Sequence, residues 1–366
     1  MIYILVFIIS LLFLFIEHKK MIIIKSIKNK KINPKNAYII LLVMCFLICA
    51  FKADHIGIDT KSYLALYNSD EQYILGFLSK INPEYIFYLI IYIAKKLNLS
   101  FHMFLFVYYF LVFYFLNIFI KQNTDKKVIS VIAFIAFGYL FIYMSALRQI
   151  MAISLCLLCF NSVFKNKKLN AILFWILAIG FHKSAFVCGV SFILFILKIS
   201  KKQLLLGGIL LIIGSFLIPT KVIENFGTLL GYESYMELIG QSSNFILILI
   251  QVIMNIGLLI YNYLRPGENN VETQQLFLLT IGTALYITST NLLLISRIAY
   301  YFQIMIIVCY GNALYIYNEK YKINNLCFLV CLIIYFSISL NYDGLHTYHY
   351  ESYITQKEGR NYYEEN

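Results

Sequence analysis

Apolar residues run along the chain in blocks broken by short lysine-rich or polar stretches. About twenty apolar residues carry a helix across a bilayer, so the blocks predict crossings at 2–16, 37–51, 101–120, 128–145, 147–164 and 169–181. Six more follow at 185–197, 203–219, 244–264, 275–290, 298–317 and 325–340. The expected architecture is all-α and polytopic: about twelve transmembrane helices in one domain over 1–340, with both termini outside. The first block opens at Met1 without a basic leader, which predicts a retained helix and no cleaved signal. One apolar run does not fit as a crossing. Asn82, Pro83 and Glu84 supply an N-cap, a first-turn proline and an acid that matches the helix dipole, and the run stops at Lys95 and Lys96. It is too short to span, and predicts an external interfacial or re-entrant helix.

Composition agrees, because 61% hydrophobic and 13% charged residues with a mean hydropathy of +0.77 exclude a soluble globule of this length. Charge then orients the chain, since short cytoplasmic loops collect Lys and Arg. Segment 17–36 holds seven lysines and is placed inside, and the inner segments together carry 19 of the 30 basic residues and five of the 18 acids. The net charge of +12 is therefore a product of topology. No basic cluster interleaves with aromatics, so nucleic acid is excluded as a partner. The outer segments are the loops 52–100 and 220–243 and a tail, 341–366, whose six tyrosines fit either sugar stacking or a mobile end.

All eight cysteines fall in apolar blocks, where they act as small hydrophobes. Cys156 and Cys159 lack the closed N/S shell that zinc needs, so neither a metal nor a cofactor is expected. The chain has no Gly-rich phosphate loop, nucleophile elbow or zinc-protease helix, and the common soluble chemistries drop out.

Arginine is scarce: 26 lysines stand against Arg148, Arg265, Arg297 and Arg360. Arg148 and Arg297 open apolar blocks at the outer level. Lysine would serve for snorkelling, whereas a guanidinium grips phosphate with two parallel hydrogen bonds. Two readings stay open, a structural one, interfacial snorkelling or an interhelical ion pair, and an anion clamp. His182 lies in a turn between two blocks of about 13 residues, each roughly 20 Å as α-helix. That is short of the roughly 30 Å hydrocarbon core, so the turn is expected on the floor of an outward-facing cleft. Its imidazole either moves a proton or holds the turn. In the first outer loop Asp54, His55 and Asp59 form an Asp/His cluster, and capping, acceptor binding, direct chemistry and, least, a metal are the uses open to it.

At these residues the chain resembles the EpsG family of Wzy-like polysaccharide polymerases. The matching elements are Gly57, Asp59, Thr60 and Tyr63; Arg148, Gln149, Ala152 and Ser154; Phe181, His182, Ser184 and Ala185; and Arg297, Tyr301 and Phe302. An arginine commonly precedes the family's first-loop element; Lys52 and His55 stand there in this chain. The resemblance implies an enzyme of the bacterial plasma (inner) membrane that joins polyprenyl pyrophosphate-linked oligosaccharides, donor and acceptor, into capsule, exopolysaccharide or O-antigen on the outer side. Flippase and chain-length regulator proteins are the partners it implies. On that reading Arg148 and Arg297 grip the leaving pyrophosphate, His182 is general base, and Asp59 orients the acceptor sugar or shares the proton load. Tyr63, Gln149, Tyr300 and Tyr301 line the substrate, and inverting transfer needs no metal. A flippase or other transporter and a ligase or O-acyltransferase are the competing classes; a transporter would hold its charges near the midplane with access from both sides.

Overall fold

The computed structural model describes residues 2–26, 37–79, 84–219, 221–222, 244–267, 269–290, 294–313, 322–340, 345, 347 and 349–355. Among these there is no strand, and every regular element is helical apart from one isolated antiparallel bridge between Lys52 and Ser352. Asn82, Pro83 and the loop 223–243 lie outside the described residues.

In chain order the helices are α1 (Ile2–Ser26), α2 (Ala37–Ala50), α3 (Thr60–Asn68), α4 (Glu71–Ser79), α5 (Tyr85–Lys96), α6 (Phe101–Asn123), α7 (Lys127–Ala136), α8 (Tyr139–Ser145), α9 (Leu147–Phe164) and α10 (Lys168–Phe181). A 3₁₀ helix follows (Lys183–Phe195), then α11 (Lys201–Phe216), α12 (Phe245–Leu264), α13 (Asn270–Thr288), α14 (Leu294–Gln303), α15 (Ile306–Ala313) and α16 (Lys322–Leu340). Three of the described helices, α6, α9 and α12, are long and apolar enough to cross a membrane, and α7 with α8 makes a fourth if the bent pair is one span. Several other apolar helices are shorter, among them α2 and α10 at 14 residues, roughly 21 Å at 1.5 Å per residue.

Burial ranks the helices. Nearly all of α9 and of α7 is enclosed, while α6 and α12 keep one face outward. A helix apolar all round belongs in the middle of a bundle, and one with an open apolar face belongs at its lipid-facing rim. The α6 and α9 helices run parallel, because the Tyr108 hydroxyl donates to the Leu147 carbonyl at one end while the Asn161 side-chain amide donates to Gln122 at the other. These contacts define two ends of the bundle. At the second end Gln122, Asn123, Asn161, Gln275 and Asn312 form a ladder of carboxamide hydrogen bonds beside a cavity of about 240 Å³.

Two predicted crossings are broken. The 128–145 block bends by 65° between α7 and α8, where Gly138 takes φ +76°, a left-handed conformation that stops a helix. The 298–317 block breaks at Ile304 and Met305, whose amides make i→i−4 and i→i−3 bonds to Tyr300 and Phe302. There the backbone of Gln303 sits so close to Gly282 that a Cβ on Gly282 would fall 2.5 Å from its nitrogen. The segment after His182 also differs from expectation: it is 3₁₀, and 13 residues at about 2.0 Å each extend roughly 26 Å, longer than an α-helical leg.

The loop 52–100 holds more structure than its sequence suggests. It contains α3 and α4 as well as the 12-residue α5, whose last turn carries Lys95 and Lys96 as expected. The described part of the tail is not a free end. Its backbone pairs with the start of the loop, Ala53 N–H to Glu351 O at 2.8 Å and Tyr353 N–H to Phe51 O at 3.1 Å, while Ile58 N–H reaches Leu345 O at 3.0 Å.

Candidate active site

The break between α8 and α9 is the foundation of the site. Ala146 leaves helical geometry at φ −108° and ψ 74°, and the last carbonyls of α8 must find other donors. The Tyr109 hydroxyl satisfies Tyr143 O at 2.9 Å, and the Lys52 ammonium satisfies Met144 O. The same ammonium donates to Ile56 O at 3.0 Å and to the Thr60 hydroxyl. Lys52 is fully buried, and burial pushes its pKa down to about 7 against the pull of Cys49, Asp54 and Asp59. Lysine thus ties the first loop to the bundle just below Arg148, which stands in the first turn of α9.

Gly57 makes that seating possible. It sits at φ +90°, and a Cβ there would fall 2.5 Å from Met144 O and 2.9 Å from Ser145 Cα, so only glycine lets the loop lie on the helix break. Gly57→Ala should cost about 1–3 kcal/mol from the conformation alone, with the clash added. A lower melting temperature of the detergent-purified chain would show it. A melting curve that overlays the unsubstituted one would mean that the loop is not held in this conformation.

His182 caps the C-terminus of α10 in extended geometry, φ −153° and ψ 121°, so its side chain leaves the helix. Beneath it Gly180 lets α5 come close: a Cβ on Gly180 would lie 2.4 Å from Ile86. That approach brings Glu84, the residue before α5, to the turn. One Glu84 oxygen, Oε1, lies 2.6 Å from His182 Nδ1 and accepts the Lys183 backbone N–H at 3.1 Å. The other, Oε2, lies 2.5 Å from an Arg148 terminal nitrogen. Burial alone would raise the Glu84 pKa, but His182, Arg148 and the Lys183 N–H overcome it and hold the carboxyl at about 2. The Glu84 side chain is 8% exposed, His182 18% and Arg148 34%, so the acid is covered and its two partners are partly exposed.

The remaining elements are stitched to this group. Tyr63 and Phe87 each place a ring centroid 5.9 Å from the Arg148 guanidinium carbon, within cation–π range. Gln149 donates its side-chain amide to the Arg297 carbonyl at 2.5 Å. Ser184 and Tyr301 share a hydroxyl hydrogen bond at 3.0 Å, which fixes α14 against the His182 turn. Arg297 is half-buried on α14, and among the described residues no acid lies within 4.0 Å of its guanidinium.

The structure therefore brings Arg148, His182, Tyr63, Gln149 and the Arg297 helix together at one end of the bundle. Of the two readings of Arg148, the interhelical ion pair is visible, with the guanidinium still a third exposed. Gln149 and Tyr301 are buried in helix packing, and the enclosed Tyr301 ring presents no open face to a sugar. Tyr300 is half-buried. Asp59 stands at the N-cap position of α3 but its carboxylate makes no capping bond. The remaining acid and histidine of the first-loop cluster turn toward other elements, Asp54 to His102 at 3.2 Å and His55 to Glu351 at 3.7 Å. Among the described residues no three metal-ligating side chains converge.

Glu84 was not legible as a site residue, and Lys52 only as a departure from the family's arginine. Glu84 had a sufficient local explanation as the acid that opens a helix, and its partners lie 64 and 98 positions away. A carboxylate at the head of an apolar run, with two unmatched cations elsewhere in the chain, was the signal available.

Comparison with known proteins comes last. A family model described as the EpsG family matches residues 35–353, all but the two ends of the 366-residue chain. No curated protein and no solved structure matches it.

Proposed function

The chain belongs to the EpsG family, and from that premise, which suggests a polysaccharide polymerase-like role, we propose that it joins polyprenyl pyrophosphate-linked oligosaccharides on the outer side of the plasma membrane. The observation that carries the reading is the convergence of four sequence-distant elements on Glu84 and its two partners. Arg148 and Arg297 stabilise the pyrophosphate as it leaves, supplying preorganised charge where charge develops. His182 takes the proton of the acceptor hydroxyl as that oxygen attacks the anomeric carbon. The C–O bond to the pyrophosphate breaks in the same displacement, so the anomeric centre inverts and the lipid pyrophosphate departs. Asp59, whose carboxylate is not used in capping, orients the acceptor sugar. Cells with and without the gene, compared for lipid-linked glycans, test this: loss should leave single lipid-linked repeats and no long chains. Loss of the repeats themselves would place the protein at an earlier step.

The transporter reading keeps one point of support, the polar cavity of about 240 Å³ at the opposite end of the bundle together with two broken helices. The same comparison separates it. A transporter defect would leave the repeats accumulating on the inner side, out of reach of an impermeant glycosidase, whereas a polymerase defect leaves them outside.

About twelve crossings with both termini outside is the topology proposed to serve this chemistry. It expects a cysteine at the exposed Asn68 to react with an impermeant thiol reagent and one at the exposed Lys167 to resist it. Strong labelling at Lys167 would overturn the arrangement.

A further inference from the structure

We propose that Glu84 is a positioning residue with two duties: its Oε1 fixes His182 with the proton on Nδ1, leaving Nε2 to act as the base, and its Oε2 holds Arg148 until an anionic pyrophosphate displaces it. The inference rests on the functional reading above and adds a residue to it.

The first duty follows from hydrogen-bond chemistry. An ionised carboxylate can only accept, so the 2.6 Å contact between Glu84 Oε1 and His182 Nδ1 requires the proton on Nδ1. In neutral imidazole the other nitrogen then carries the lone pair. When Nε2 takes a proton from the acceptor hydroxyl, the imidazolium that forms already faces a negative charge, as the histidine of a Ser-His-Asp triad does. Oε1 cannot drift, because the Lys183 N–H also holds it at 3.1 Å.

The second duty follows from what Arg148 has left over. Its bond to Oε2 uses one terminal nitrogen, its Nε is buried without an acceptor among the described residues, and its side chain is 34% exposed. A multiply charged pyrophosphate offers more acceptor oxygens than one carboxylate oxygen, so exchange gains bonds for the guanidinium. Arg148 is thus kept in place, rather than loose, before substrate arrives, and Glu84 keeps His182 after the exchange.

The two duties predict effects of opposite sign, which a merely structural role would not. In Glu84→Gln the charge that competes for Arg148 is gone, so the full chain in lipid nanodiscs should bind inorganic pyrophosphate about threefold or more tightly. Chain extension from lipid-linked repeats should fall roughly 10²- to 10⁴-fold, because an amide does not support the imidazolium. Glu84→Asp keeps the charge on a shorter arm and should leave pyrophosphate affinity near that of the unsubstituted chain, with a smaller loss of extension. Imidazole ¹⁵N spectra, with the His182 signals identified by their loss in His182→Gln, should show the Nδ1-protonated form in the unsubstituted chain. Unchanged or weaker pyrophosphate binding in Glu84→Gln would overturn the second duty, and an Nε2-protonated His182 the first. If Glu84→Gln does not fold, the spectrum of the unsubstituted chain decides the first duty and Glu84→Asp the second, where a tightening equal to that expected of glutamine would count against it. Neither the titration nor the spectrum requires polymerase activity, so a failure of the polymerase reading shows separately, as an unsubstituted chain that extends nothing.

Discussion

His182→Gln is expected to abolish chain extension while lipid-linked single repeats accumulate. Loss of a general base costs roughly 10²- to 10⁴-fold, enough to erase a polymer ladder in cells. Glutamine is the informative replacement because of what His182 touches. Its side-chain NH₂ can still donate to Glu84 Oε1, in place of the imidazole now 2.6 Å away, and Glu84 keeps the Lys183 N–H and Arg148 as partners. The turn should therefore survive, and what is lost is a nitrogen able to take and pass on a proton at neutral pH. His182→Ala would leave a covered carboxylate with one partner fewer, and a loss there would mix structure with chemistry. If the glutamine variant polymerises normally at normal protein level, His182 only holds the turn. Asp59, half-buried at the start of α3 with no capping bond, then becomes the candidate, to be tested as Asp59→Asn in the same assay.

Legibility followed the range of the interactions. Apolar runs and lysine-rich loops are local properties, and the positions of α2, α6, α9, α10, α12 and α16 follow from them closely. The all-helical architecture follows as well. Breaks were hidden where they depend on a close approach: Gly138 can be suspected from sequence, but the kink at Ile304 comes from the packing of Gln303 against Gly282, a neighbour about twenty positions earlier. The 3₁₀ form of Lys183–Phe195 was missed because an apolar run has the same composition in either helix type. At the site, Arg148, His182 and Arg297 stood out because a cation in an apolar setting needs a reason. Glu84 did not, since an acid ahead of a helix already has one. Lys52 stood out only as a residue where the family commonly has an arginine, and the fold alone shows it fully buried beneath the first loop.

Arg148→Lys and Arg297→Lys should each lose most polymer although the charge at both positions remains. Removing one group that stabilises developing charge costs on the order of 10²-fold or more, and a lysine gives only part of what arginine gives. At position 148 the difference is geometric. A lysine ammonium could keep an ion pair with Glu84 Oε2, so the helix contact would be retained, but it is a point charge without a planar face to lie between Tyr63 and Phe87. It also lacks the paired nitrogens of a guanidinium with which to grip two phosphate oxygens once the pyrophosphate has displaced Glu84. At position 297 the Gln149 bond is to the backbone carbonyl and is indifferent to the side chain, so the substitution changes the cation alone. The two variants therefore separate fold from function in different ways. Protein level and melting temperature should stay near those of the unsubstituted chain in Arg297→Lys, and fall no more than slightly in Arg148→Lys, while long chains vanish in both. A normal ladder from either variant at normal protein level would remove the phosphate-gripping role at that position. At 148 it would leave the Glu84 ion pair, which lysine can also make, as the whole contribution of the residue.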